Sequence, residues 1–61
     1  MNRRVRKTIE AIKNENDLRI DELKKFAKGV DPELFDQTIL GAKLKVAEVF
    51  RNLLDDILKG Q

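Results

Sequence analysis

The sequence predicts an all-α protein: residues 1–61 form one domain, an antiparallel hairpin of two long helices that assembles into a four-helix-bundle-like homo-oligomer. Three observations lead there. Apolar residues recur at helical spacing on both sides of a single strong turn signal, Lys28-Gly29-Val30-Asp31-Pro32. Proline occurs once and glycine three times, so little interrupts the helices. The second half of the chain carries nearly two apolar stripes, more than one hairpin can cover.

The first helix is expected over residues 3–28. On a helical projection Val5, Ile9, Ile12, Ile20, Leu23, Phe26 and Ala27 share one face. That phase agreement persists across the polar stretch Lys13-Asn14-Glu15-Asn16-Asp17, which argues for continuity. Asn14, Asn16 and Asp17 are better caps than interior residues, so the alternative is a break near residues 14–17. If the helix is continuous, Asn16 and Arg19 fall within its apolar face. A polar residue there either fixes register or marks a loose, hydrated seam.

The turn follows. Gly29 suits the left-handed backbone that closes a helix, and Lys24, Lys25 and Lys28 supply cations where the helix dipole is negative. Asp31 caps the next helix, Pro32 fits its first position, and Val30 is placed to pack on Phe35.

The second helix is expected to run unbroken from Pro32 to Leu58. Phe35, Ile39, Ala42, Val46, Val49 and Leu53 form a heptad seam, which the pattern assigns to the first helix of the same chain. Leu40, Leu44, Ala47, Leu54 and Leu58 lie on another arc and are the candidate oligomer interface. Gly41, on the expected polar side, reads as a kink, a close approach of another backbone, or a tolerated surface glycine.

Composition narrows the function classes. Sixty-one residues make a marginal core, and small scaffolds need a disulfide, a metal, very good packing or self-association. There is no cysteine and no histidine, which removes disulfides and the usual zinc ligands. The only side-chain hydroxyls are those of Thr8 and Thr38, and the glycines are far apart, so there is no phosphate-binding loop. Neighbouring carboxylates such as Asp21-Glu22 and Asp55-Asp56 point about 100° apart on a helix and do not converge on a substrate. The expectation is a non-enzyme with no cofactor and no metal. No apolar run reaches the roughly 20 residues of a membrane span, and the basic start lacks the apolar segment of a secretory signal, which fits the cytoplasm.

Two function classes remain. The first is a protein–protein interaction or regulatory module, a homodimer in its simplest form, that also offers a helical face to a client protein helix. The second is a nucleic-acid-binding regulator. Net charge is only +2, but residues 1–13 hold Arg3, Arg4, Arg6, Lys7 and Lys13 against the single carboxylate Glu10, a candidate phosphate-contacting cluster. An antiparallel register pairing residue i with about 60 − i would instead set Arg4 and Val5 beside Asp56 and Asp55. Another route reads residues 18–40 as a helix-turn-helix. The Gly29-Val30-Asp31-Pro32 turn resembles that of many such repressors. Lys25 departs from the small residue their pattern wants, and Glu33 and Asp36 would repel phosphates from the reading helix.

Overall fold

A computed structural model, which describes residues 2–60, contains three helices: α1 (Arg3–Ala27), α2 (Pro32–Asp36) and α3 (Ile39–Lys59). The two long helices, α1 and α3, pack side by side and antiparallel, and α2 forms the corner between them. The molecule measures 43 × 16 × 14 Å.

α1 is continuous, which settles the question at residues 14–17. Asn2 caps it, its side chain accepting from the Val5 N–H at 2.8 Å. The polar stretch does not break the helix because Asn16 finds a partner across the seam: its Nδ2 donates to the Ala47 carbonyl at 2.8 Å. The bond would be lost if α1 bent away, and it ties Asn16 to one register of α3.

The glycine turn and the Asp31 cap form as the sequence predicts. Gly29 has φ +80°, Val30 N–H bonds back to the Ala27 carbonyl at 3.1 Å, and the Asp31 carboxylate accepts from Glu33 N–H at 2.9 Å.

The expected single helix from Pro32 to Leu58 is corrected at one point: it breaks at Gln37-Thr38. Thr38 holds the break from both sides. Its hydroxyl donates to the Phe35 carbonyl at 2.6 Å and accepts from the Gly41 N–H at 3.0 Å, ending α2 and capping α3 together. Gly41 is buried rather than on a polar face, and the reason is the close approach of another backbone. A Cβ built there would stand 2.7 Å from the Phe35 carbonyl carbon and 2.8 Å from the Asp36 Cα, and closer still to the Phe35 oxygen. The corner therefore depends on a residue with no side chain.

The core is small: Ile20 and Leu23 from α1, Phe35 from α2, Ala47 and Leu54 from α3. Ile20, at 1% exposure, is the one large side chain sealed completely among the described residues. Ile9, Ala27, Leu44 and Leu58 are half-buried around it.

Candidate functional site

The arc of the second half that is buried within the chain is not the one that the pattern assigns to α1. Ala47 and Leu54 are buried, Leu44 and Leu58 half-buried, and Leu40 lies exposed at the edge of the same arc. This set, expected between chains, is the surface that α3 turns toward α1 within one chain. Val46 and Val49, expected to face α1, are instead 70% and 59% exposed, and Ile39 is 77% exposed.

The cause is the break at Gln37-Thr38. The heptad seam takes its phase from Phe35 through Ile39, a step of four that suits one unbroken helix. Phe35 belongs to α2 and is buried, whereas Ile39 begins α3 with a new axis and faces solvent. Two polar contacts add to the choice of arc. Ala47 is small enough to let Asn16 reach its carbonyl, and three residues earlier on α1, Lys13 Nζ meets Asp55 Oδ1 at 2.6 Å. Both contacts need the Ala47–Asp55 side of α3 turned toward α1.

Around these contacts lies a half-buried polar layer of Lys13, Asn16, Asp17, Glu48, Arg51 and Asp55. The hydrogen bond from Lys13 holds the Asp55 carboxyl below its ordinary value, with the attraction of the ammonium adding to it and burial opposing it. The same hydrogen bond, followed by the carboxylate's charge, raises Lys13 above its own. A depressed carboxyl contributes stability above its unfolded value and loses it as pH falls through the folded one, so the pair acts in neutral solution and weakens in acid. One Asp17 carboxylate oxygen is shielded from solvent without a hydrogen-bond partner in the structure.

The basic end differs from the expected register. Asp55 is taken by Lys13, not by residues 4–5, because the connection over residues 28–38 contains α2 and uses more chain than a tight turn. Residues 3–8 are exposed. Arg6 pairs with Glu10 on its own helix at 3.2 Å, while Arg3, Arg4 and Lys7 have no carboxylate within 4.0 Å among the described residues. Of the five candidate phosphate contacts, two are thus paired with carboxylates of the chain, and three are exposed with no ion pair among the described residues. As for the helix-turn-helix route, α2 has five residues and ends at Asp36, so no long second helix directly follows the Gly29 turn.

The exposed surface of α3 is the most coherent feature outside the core. Ile39, Ala42, Val46, Val49 and Leu53 follow one another at spacings of three and four, with Phe50 and Ile57 widening the stripe. All are exposed. On one side the stripe borders an open groove of about 700 Å³ between α1 and α3, whose walls include Arg19, Phe26, Lys43 and Phe50. The heptad spacing was visible in the sequence; the direction it faces was not. No helix among the described residues is long and apolar enough to cross a membrane.

No family model, curated protein or solved structure matches the chain.

Proposed function

We propose that this chain is a non-enzymatic helical-hairpin interaction module that works as a homo-oligomer, with a dimer as the basic unit. The observation that carries the reading is the uncovered stripe of α3. Seven exposed apolar residues, five of them at regular heptad spacing, lie beside a core of only five buried side chains. Scattered apolar residues on a surface are ordinary, but a contiguous stripe marks a contact surface. A second copy covers it most simply, and a client helix with an apolar face of the same period would compete for the same place.

The test is a double variant on the exposed stripe, Val46→Glu with Leu53→Glu. Neither side chain belongs to the buried core, so the hairpin keeps its own contacts. Light scattering is expected to show the parent as an oligomer and the variant shifted to a single chain or, where folding and association are coupled, to an unfolded one. A variant of parental size and helicity would remove the stripe from the interface.

A second reading is favoured by one specific observation, the exposed cations Arg3, Arg4 and Lys7 with no carboxylate beside them among the described residues. In it the start of α1 contacts nucleic-acid phosphates, and oligomerisation multiplies the patch. Replacing Arg3, Arg4 and Arg6 with glutamine is expected to leave helicity nearly unchanged, since exposed ion pairs contribute about 0–1 kcal/mol each. It should weaken binding to a DNA or RNA duplex and flatten its salt dependence. If the parent binds neither duplex at low salt, this reading is retired.

A further inference from the structure

We propose that two copies of this chain pair through α3 in antiparallel orientation, about a two-fold axis lying between Val49 and Phe50. The inference rests on the self-association proposed above and adds its geometry.

The first support is area. A compact folded monomer of 7.1 kDa exposes about 4,100 Å². This chain exposes 5006 Å², an excess of about 900 Å². One partner of a standard stable interface contributes about 800 Å². The shape agrees: the radius of gyration is 13.8 Å, against about 10.5 Å for a compact domain of this length. The chain thus has about one interface's worth of surface to cover, and seven of its thirteen exposed large apolar side chains lie on α3.

The second support is the pattern of the stripe. Spacings of three and four keep Ile39, Ala42, Val46, Val49 and Leu53 on one line of a straight helix about 31 Å long. A seam of this kind fits another of the same period, and a second copy of α3 supplies one. With the axis midway between residues 49 and 50, Val49 meets the partner's Phe50, Val46 meets the partner's Leu53, and Ala42 meets the partner's Ile57. Each layer sets a smaller side chain against a larger one, which lets the two surfaces interlock.

Charge chooses the direction. On the helical projection Lys45 and Asp56 both lie along one rim of the stripe, while the other rim carries Lys43 and Phe50 and no carboxylate of α3. A parallel two-fold pair sets each rim against the opposite one, which leaves Lys45 and Asp56 without an opposite charge. An antiparallel pair sets each rim against itself. Lys45 then stands within about 3 Å, along the axis, of the partner's Asp56, and symmetry repeats the pair. Among the described residues of its own chain Lys45 has only a loose alternative, Asp36 at 3.5 Å with both groups at least half exposed. Antiparallel helix dipoles favour the same direction.

The chain contains no cysteine, so a single introduced thiol reports which residues meet. Under mild oxidation Val49→Cys is expected to form a covalent dimer, because its two copies lie beside the axis. Ile39→Cys is expected not to, since its copies would stand about 30 Å apart. Both positions are exposed in the single chain, so neither variant depends on repacking the core. Efficient cross-linking through position 39 overturns the antiparallel orientation. No cross-linking at position 49, in a protein still dimeric by sedimentation, overturns α3 as the contact. A parent that is a single chain at every concentration overturns the underlying reading instead. A charge cycle checks the rim independently. Lys45→Glu and Asp56→Lys are each expected to weaken association about tenfold, and the double variant to restore most of it. The two residues are about 16 Å apart along one helix, so recovery must come from across the interface, and its absence overturns the rim pairing.

Discussion

Gly41→Ala is expected to destabilise the protein by about 3 kcal/mol, although alanine is the better helix former by about 1 kcal/mol. The added methyl would sit 2.7 Å from the Phe35 carbonyl carbon and 2.8 Å from the Asp36 Cα, both backbone atoms that no rotamer change can move. The chain can relieve the clash only by shifting α2 away from α3. That shift breaks the Thr38 clasp and lifts Phe35 out of the core. Gly29→Ala is the matched control. Nothing lies within 4 Å of the Cβ there, so its cost is only that of holding a side chain at φ +80°, about 1 kcal/mol. Thermal or denaturant unfolding of both variants at one protein concentration checks the contrast. Equal losses would mean that the α2–α3 corner tolerates movement.

Ile20→Ala is expected to be at least as damaging, about 3–4 kcal/mol. Ile20 is 1% exposed in a core of five buried side chains, so few neighbours are available to collapse into the space it leaves. A chain of this length has a total stability of about 3–9 kcal/mol, and the loss takes a large part of it. The comparison is Leu18→Ala, two residues away and 65% exposed, where circular dichroism melts should show a change of about 0.5 kcal/mol or less. If the two variants melt alike, the α1–α3 seam does not run through Ile20.

Both effects trace back to how the sequence could and could not be read. The Gly29 turn was fully legible because several local signals agree on it: the glycine, the lysines before it, the Asp31 cap and Pro32. Local chemistry determines such a turn. The continuity of α1 was legible from the shared phase of Ile9, Ile20 and Leu23 on either side of the polar stretch. The break at Gln37-Thr38 passed unseen, since Phe35 and Ile39 stand four residues apart and satisfy the helical period whether or not the helix is interrupted. A signal was present in Thr38, a good N-cap residue three positions before Gly41, and the two now form the cap of α3. The choice between the arcs of α3 was not legible at all. Val46, Val49 and Leu53 are as apolar as Leu44, Ala47 and Leu54, and periodicity ranks neither first. Long-range contacts separate them, chiefly Asn16 to the Ala47 carbonyl and Lys13 to Asp55, which join residues 31 or more positions apart.

The choice of arc decides what the hairpin buries within one chain. With Leu44, Ala47, Leu54 and Leu58 turned inward, one chain closes its own small core and leaves the heptad stripe outside. The residues that close the core against α1 and those of the stripe are then different sets. The basic end of α1 belongs to neither surface, so Arg3, Arg4 and Lys7 stay exposed whether or not the stripe is covered.

Sedimentation equilibrium over a wide range of protein concentration tests the central claim most directly, that the exposed stripe of α3 is covered by another copy of the chain. The expected result is a mass that rises with concentration from the 7.1 kDa of one chain to twice that value, with the rise abolished by Val46→Glu and Leu53→Glu together. A folded chain whose mass stays at that of one copy up to millimolar concentration would contradict the account.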